Sequence, residues 1–449
     1  MQENRYLAGN FAPVRDELSV TGLDVEGAIP LALAGRLLRN GPNPIAPDPG
    51  NYHWFLGNGM LHAIELRDGA AVSYRNRWVR SDDAAALLGE EPIAGQPDDV
   101  FIGGANAANT HVVSHAGRIL ALVEVCLPTE VRPDLSTVGR YDFGGTLRSP
   151  MTAHPKIDPR TGEMVFFGYD ITGPPWLRYH VVDASGALVR TEPITIGGPA
   201  MVHDFAVTDT HVVWFDLPVV YDFSLLGKRP FPAEWKRGYQ ARVGVMPRDG
   251  GDADVRWTDI DPCYVYHPAN AWNEGDRVVV DVPRYGRAFD RVLSGPSDTD
   301  SVYERWSIDP TGGKVVTEVL DDRSQEFPRI NDAVLGRRHR YAYTTRTEVV
   351  SSFELAGLIK HDHDRGTHES HSFGNAGHAS EALFVAAPDG ANEDDGWVLT
   401  VVYDATRDGS DLVILDATDF AGPPVATVRL PQRVPFGFHG SWVPDSALA

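Results

Sequence analysis

Short apolar runs bounded by glycine, proline, aspartate or asparagine recur along most of the chain. They are rich in valine, tyrosine and phenylalanine, and such residues in short, turn-bounded segments are typical of β-strands. Residues 81–89 differ, because Ser81 precedes two aspartates and a run of alanine and leucine, which predicts a short helix with Ser81 as its N-cap. The clearest predicted strands are residues 118–125, 163–169, 211–217, 277–282, 340–345, 397–403 and 412–415.

The spacing of the strands predicts one large all-β fold. The chain has 449 residues, with 44 glycines and 33 prolines, and no linker-like stretch marks a domain boundary. At about forty residues for each four-stranded blade, this length fills six or seven blades of a β-propeller. We therefore predict a seven-bladed β-propeller over residues 1–449 as a single domain, with residues 1–20 as an N-terminal extension. Long inserts such as 222–240 would form a dome over one face.

The charge balance narrows the class of partner. There are 62 acidic against 40 basic side chains, a formal net charge of −22, which argues against nucleic acid because phosphate binding needs basic patches. Cys126 and Cys263 are too few for a disulfide framework, and we expect reduced thiols. The first residues lack the apolar core of a signal peptide, and no apolar run reaches eighteen residues. We expect a cytoplasmic protein, soluble or peripherally associated with a membrane, without an obligate protein partner.

Four histidines share a local setting. His154, His203, His267 and His439 each lie among small, apolar or turn-forming residues beside a predicted strand. The innermost strand of every propeller blade lines a central channel, so residues far apart in sequence can meet there. A lone histidine near a strand is nevertheless more often a hydrogen-bonded core residue than a metal ligand. A second set, in a polar and charged tract, is interpreted as a solvated loop and strand edge, with a surface metal site as the alternative: His361, His363, His368, His371 and His378.

An ordered series of motifs gives the chain a family resemblance. From about Gly22 to the C-terminus, the sequence resembles the carotenoid cleavage oxygenase family. The motifs that carry the resemblance are LRNGPNP at 38–44, ANT at 108–110, TAHPK at 152–156, MVHDF at 201–205, His267 with NAW at 270–272, EFPR at 326–329, SEA at 380–382, EDDG at 393–396 and RVPFGFH at 433–439.

The resemblance implies a metal centre and its surroundings. It implies a seven-bladed β-propeller with a helical or loop dome over one iron(II) ion per chain, and dioxygen as co-substrate. Neutral imidazoles suit iron(II) and leave positions open for dioxygen, and carboxylates that accept the far ring N–H fix each ring in place. The implied ligands are His154, His203, His267 and His439, and the implied carboxylates are Glu124, Glu326 and Glu381.

The implied activity is oxidative cleavage of a conjugated C=C bond by dioxygen, giving two carbonyl products. The implied substrate is a lipophilic carotenoid or apocarotenoid, which we expect to lie in an apolar tunnel. Family members that cleave stilbenes carry a lysine just before the first of the three glutamates, whereas this chain has Val123 there, which favours carotenoids. Side chains expected to contact the substrate, with core packing as the alternative for each aromatic one, are Trp54, Phe55, Val123, Trp176, Tyr266 and Phe438.

Three other functions remain open from the sequence. They are a dioxygenase that cleaves stilbenes or phenylpropenoids, a retinoid-isomerase-like enzyme, and a metal-free propeller that binds a partner through one face. Residues 222–240 mix apolar and basic side chains in an acidic protein, which fits either an interfacial membrane patch or a segment of the dome.

Overall fold

Antiparallel strands make up almost all of the regular structure. The computed structural model describes residues 4–99, 106–170, 173–225, 227–292, 297–347 and 355–448. These residues form two compact units. Unit 1 comprises Met1–Ala153, Asp183–Leu188 and His371–Ala449, and unit 2 comprises His154–Val182 and Val189–Ser370.

Three antiparallel sheets belong to unit 1. Sheet 1 contains strands from both ends of the chain, because Gly35–Pro42 pairs with Gly440–Pro444. The strands of sheet 1 are Ser19–Thr21, Gly35–Pro42, Gly59–Arg67, Ala70–Trp78 and Gly440–Pro444; those of sheet 2 are His111–His115, Arg118–Leu122, Thr129–Val131 and Thr137–Arg140; those of sheet 7 are Val25–Gly27, Gly377–Ala379, Leu383–Ala386, Gly396–Asp404, Gly409–Asp416 and Ala426–Arg429.

Four sheets and a separate hairpin belong to unit 2. The strands of sheet 3 are Lys156–Ile157, Met164–Tyr169, Trp176–Val182 and Leu188–Thr195; those of sheet 4 are Ala206–Val207, His211–Asp216, Arg242–Pro247 and Arg256–Asp259; those of sheet 5 are Tyr264–Val265, Asn270–Glu274, Arg277–Tyr285, Ser301–Asp309 and Lys314–Asp321; those of sheet 6 are Gln325–Arg329, Tyr341–Thr347, Leu355–Asp362 and Thr367–His371; those of the hairpin are Val219–Tyr221 and Ala233–Trp235.

Helices are few and short. The predicted helix is confirmed as Asp82–Leu88, with the Ser81 hydroxyl accepting from the Ala84 N–H and Gly89 ending it at φ +74°. Among the described residues, no helix has the length and hydrophobicity needed to cross a bilayer. The 3-10 helices are Arg5–Leu7, Gly9–Phe11, Trp54–Leu56, Phe223–Leu225, Asp252–Asp254, Asp332–Val334 and Asp445–Ala447.

Each predicted strand is present, with shifted ends. The largest correction is at 118–125, because the strand ends at Leu122 although the apolar run continues to Val125. The chain turns at Val123, and Glu124 therefore follows the strand instead of lying inside it. Hydrophobicity alone does not mark this end, since the turn residues are themselves partly or fully buried.

The prediction of a solvated histidine-rich tract is wrong at His361 and His371 and correct for residues 364–370, which are exposed. His361 lies on the strand Leu355–Asp362, is 4% exposed, and its Nε2 lies 2.7 Å from Gln325 Oε1. His371 is also buried and its Nδ1 contacts the Phe420 carbonyl oxygen. These hydrogen bonds let polar side chains occupy inward positions of the strands. His368, by contrast, is exposed as expected.

Buried neutral histidines make the stability of the fold depend on pH. Burial lowers the pKa of His180 to about 3, and its Nδ1 lies 2.9 Å from Thr191 Oγ1. In the unfolded chain the pKa returns to about 6.5, so the unfolded state binds more protons below that pH. The free energy of unfolding therefore falls as pH drops from about 6.5 towards 3.

We expect His180→Gln to reduce the slope of unfolding free energy against pH, between about pH 7 and 5, by up to about 1.4 kcal/mol per pH unit. Urea denaturation at several pH values measures this slope. The matched control is His368→Gln, at an exposed position. An equal change of slope in both variants would contradict the assignment to His180.

Candidate metal centre

Three of the four predicted ligands lie next to a short strand in successive sheets of unit 2. His154 lies two residues before Lys156–Ile157, His203 three residues before Ala206–Val207, and His267 two residues after Tyr264–Val265. Each of these strands has only two residues and pairs with the next, longer strand of its sheet. The three histidines thus sit on irregular backbone beside a short strand, as the sequence predicts.

The three rings converge through their Nε2 atoms. His203 Nε2 lies 3.1 Å from His154 Nε2 and 3.1 Å from His267 Nε2. The candidate donor atoms of these rings lie within 4.8 Å of one another. Nitrogen lone pairs at this separation repel unless a proton or a cation lies between them. Two metal–nitrogen bonds of about 2.1 Å at a right angle separate their nitrogens by about 3 Å, so the spacing fits adjacent ligands of one metal ion.

Glu326 fixes which nitrogen of His267 is free. Its Oε2 lies 2.7 Å from His267 Nδ1, which donates, so the neutral ring leaves Nε2 with a lone pair. The same carboxylate oxygen accepts the N–H of Phe327, a non-glycine residue at φ +53° whose ring centroid is 5.5 Å from that of His267. The register of the strand Gln325–Arg329 shifts between Glu326 and Arg329. This irregular backbone aims the carboxylate at the ring.

The same carboxylate–imidazole arrangement occurs in unit 1. His439, the fourth predicted ligand, directly precedes the strand Gly440–Pro444, and its Nδ1 lies 3.0 Å from Glu381 Oε1. The Gly440 N–H donates to Glu381 Oε2 at 3.0 Å, which holds the carboxylate from its other side. A side chain at Gly440 would meet the Leu38 carbonyl oxygen at 2.5 Å, so the close approach of the two strands requires glycine. Within unit 1, the structure therefore brings His439 and Glu381 together.

The third predicted carboxylate lies after a strand of unit 1. Glu124 is 8% exposed and follows Arg118–Leu122 by two residues, with the partly buried Val123 between. A carboxylate at this depth is costly without partners. Its assignment to a histidine stays a prediction.

The sequence did not predict an ion pair that lies beside two of the histidines. Lys156 Nζ lies 2.8 Å from Asp204 Oδ1 and 3.1 Å from Asp204 Oδ2. Asp204 is 4% exposed and directly follows His203, and its Oδ2 lies 3.9 Å from His154 Nδ1. Both residues lie within the motifs at 152–156 and 201–205, so the sequence marks each of them separately. What the sequence does not reveal is that they meet.

The predicted aromatic contacts fall into separate groups. In unit 1, Phe438 is 4.5 Å from Trp54 and 5.7 Å from Phe55 between ring centroids, and it directly precedes His439. In unit 2, the ring of Tyr266 lies 5.5 Å from that of His203. Trp176 begins a strand of sheet 3, and its role stays a prediction.

A second group of metal-capable side chains lies in unit 2. Asp281, His339 and His363 have candidate donor atoms within 4.8 Å of one another. Asp281 Oδ2 lies 3.3 Å from His339 Nε2 and 3.7 Å from His363 Nε2. Arg305 engages both oxygens of Asp281, at 2.7 and 2.8 Å.

The hydrogen-bond partners of His339 give its ring a different tautomer from that of His267. The Asn270 amide nitrogen contacts His339 Nδ1 at 3.3 Å, and the amide orientation is fixed because Asn270 Oδ1 accepts the Gly336 N–H. Nδ1 is then the acceptor, so the neutral ring keeps its proton on Nε2 and cannot offer a lone pair there. His267 has the opposite arrangement, with Nδ1 donating. We therefore interpret Asp281 and its neighbours as a buried ion-pair network.

Comparison with known proteins assigns the chain to a family. The sequence model of the family described as retinal pigment epithelial membrane protein (RPE65) matches residues 11–444. The chain belongs to the carotenoid cleavage oxygenase family. A carotenoid cleavage oxygenase of Mycobacterium tuberculosis is 42% identical to it, over 99% of this chain and 98% of its own length.

Solved structures agree with this assignment. A lignostilbene dioxygenase of Pseudomonas brassicacearum has a TM-score of 0.89 and 28% identity, covering 98% of both chains. A cobalt-substituted Synechocystis ACO has a TM-score of 0.86 and 30% identity, covering 96% of this chain and 97% of its own. The predicted seven-bladed β-propeller is confirmed by this likeness. The family, the cobalt-substituted relative and the clustered histidines together indicate a metal site.

The ion-pair interpretation of Asp281 is testable through stability. Although burial opposes its charge, the hydrogen bonds and charge of Arg305 hold the pKa of Asp281 below its ordinary value. We expect Arg305→Met to lower the free energy of unfolding by about 3 kcal/mol, because it leaves a buried carboxylate without its cation. Chemical denaturation measures the loss.

The matched control is Arg338→Met, since the Arg338–Asp364 pair is exposed and should contribute less than about 1 kcal/mol. Equal effects of the two substitutions would show that burial of Asp281 does not matter. If added zinc instead stabilises the wild type through His363, the group formed by Asp281, His339 and His363 is a metal site.

Proposed function

We propose that this protein is a non-haem iron(II) dioxygenase that cleaves a conjugated C=C bond of a carotenoid or apocarotenoid into two carbonyl products. The observation that supports this most is the convergence of three histidine Nε2 atoms, with 3.1 Å between neighbours, in a member of the carotenoid cleavage oxygenase family. Both the ligand chemistry and the fold then point to the same class of reaction.

One iron(II) ion per chain would be held by four neutral imidazoles. His154, His203 and His267 supply three of them, and His439 is the fourth, because its ring carries the same kind of carboxylate contact as His267. Bound there, iron(II) would supply the activation of dioxygen. No carboxylate ligand is required, which distinguishes the centre from iron sites built on two histidines and one carboxylate.

The glutamates act through the rings. By accepting the Nδ1–H, Glu326 holds His267 in one tautomer and one orientation, and Glu381 does the same for His439. Their negative charges also offset the charge of a buried cation. Glu124, buried after its strand, is the proposed third carboxylate.

Aromatic side chains next to the ligands would line the substrate path. Phe438, Trp54 and Phe55 form one wall beside His439, and Tyr266 lies against His203. A polyene that becomes electron-poor during oxidation is stabilised by the faces of aromatic rings. Trp176 and Val123 complete the proposed contacts.

Val123 favours carotenoids over stilbenes. An aliphatic side chain before Glu124 cannot hydrogen-bond a phenol, whereas it suits an extended hydrocarbon. The second candidate is a stilbene-cleaving dioxygenase, and it is favoured by the structural similarity to a lignostilbene dioxygenase.

Residues 222–240 are proposed to belong to the dome. Residue 226 lies outside the described residues, but Tyr221 and Phe231 pack within unit 2, with ring centroids 6.3 Å apart, and Trp235 lies under Arg287. These contacts support a dome segment over an interfacial membrane patch. We propose a cytoplasmic protein whose membrane contact is peripheral and serves substrate uptake.

The metal content of purified protein tests the centre. We expect about one iron per chain after loading under anaerobic conditions and none in His203→Ala. In Glu326→Gln we expect the iron affinity to fall by about tenfold or more, because an amide cannot hold the His267 tautomer as a carboxylate does. Elemental analysis and chelator competition measure these values. The control His368→Gln keeps full iron. Iron binding that survives His203→Ala would remove the basis for the proposal, and a metal-free wild type would favour the partner-binding propeller.

Product analysis tests the substrate. We expect iron-loaded protein in air to convert an apocarotenoid into two carbonyl fragments identified by mass, and to leave a hydroxystilbene uncut. A Val123→Lys variant should lose apocarotenoid cleavage by at least about tenfold, because a buried ammonium group opposes an apolar substrate. Cleavage of the stilbene alone would establish the second candidate, and a geometric isomer without cleavage would establish an isomerase.

A further inference from the structure

The histidines of unit 2 differ in their electrostatic surroundings. His267 Nδ1 lies 2.7 Å from the carboxylate of Glu326. His154 Nδ1 lies 3.9 Å from Asp204 Oδ2, which is too long for a hydrogen bond. The carboxylate of Asp204 is thus near His154 but does not engage its ring.

Lys156 binds the same carboxylate. Its ammonium group contacts both oxygens of Asp204, at 2.8 and 3.1 Å, and lies 5.8 Å above the ring of Phe205. The Phe205 N–H also donates to Asp204 Oδ1 at 2.7 Å. The side chains of Asp204 and Lys156 are 3% and 17% exposed, so solvent screens them little. The positive charge of Lys156 therefore offsets the negative charge of Asp204 beside His154.

We propose that the Lys156–Asp204 ion pair is a positioning device for the metal centre, in which Lys156 withholds the carboxylate of Asp204 from His154. This inference rests on the proposed iron centre. A carboxylate that accepts the far N–H of a ligating histidine makes the ring a stronger donor, which favours the ferric over the ferrous ion. By withholding this carboxylate, the ion pair keeps His154 a weaker donor than it would be with Asp204 on its ring, and favours iron(II).

Opposite substitutions should move the iron in opposite directions. Lys156→Met leaves the negative charge of Asp204 unbalanced and free to reach His154, so it should lower the ferric/ferrous midpoint potential. Asp204→Asn leaves the positive charge of Lys156 unbalanced, so it should raise that potential and weaken iron(II) binding by about tenfold. The double variant restores charge balance and should return the potential close to that of the wild type.

Spectroelectrochemical titration of the iron-loaded full chain measures the potential, and chelator competition measures iron(II) affinity. The matched control is Asp216→Asn, which removes another buried carboxylate paired with an arginine, Arg242, at 2.7 Å. It should leave the potential unchanged. If Lys156→Met does not fold on its own, the double variant still tests the inference. Its midpoint potential should be lower than that of Asp204→Asn.

The outcomes separate this inference from the proposed function. Shifts of opposite sign that cancel in the double variant support it, because structural damage would not reverse sign with charge. Iron bound normally, with unmoved potentials or shifts of the same sign in both single variants, overturns the inference and leaves the iron centre standing. A wild type that binds no iron overturns both.

Discussion

The hydrogen bond from a histidine Nδ1–H to a glutamate is the interaction on which the candidate centre depends. A neutral imidazole has one donor and one acceptor nitrogen, and the neighbour of one nitrogen decides the state of the other. Glu326 makes Nδ1 of His267 the donor and so leaves Nε2 as a lone pair pointing at His203. At His339 the Asn270 amide produces the opposite tautomer. Two clusters that both contain histidines thus differ in their capacity for metal, because the second nitrogen of the ring has a different neighbour in each.

That difference explains which parts of the site the sequence could predict. His154, His203 and His267 are recognisable because each stands in a motif beside a short strand, and the periodic return of a propeller brings such positions together. The resemblance implies Glu326 as a carboxylate near the ligands, whereas its contact with His267 comes from the structure. Sequence patterns do not carry the orientation of Asn270 or the meeting of Lys156 with Asp204, because both depend on the angles of individual side chains.

The fold shows a similar division. Strand positions and the helix after Ser81 follow from alternation, turn residues and capping, which are local properties. The early end of the strand Arg118–Leu122 does not, since the apolar run continues through a buried turn. Likewise, the tract around His361 reads as polar and solvated, but a strand carries that side chain inward to Gln325. In both places burial in the folded chain departs from what local composition indicates.

The pairing of Gly35–Pro42 with Gly440–Pro444 has a consequence for biosynthesis. Arg39 and its partner Gly440 are 401 positions apart (440 minus 39). A ribosome therefore exposes the first strand long before the second exists, and one edge of sheet 1 stays open on the nascent chain during that interval. Open strand edges template association between chains, and contacts of such long range form slowly. His439 reaches its place only when that edge closes, so the emerging polypeptide needs protection from aggregation until then.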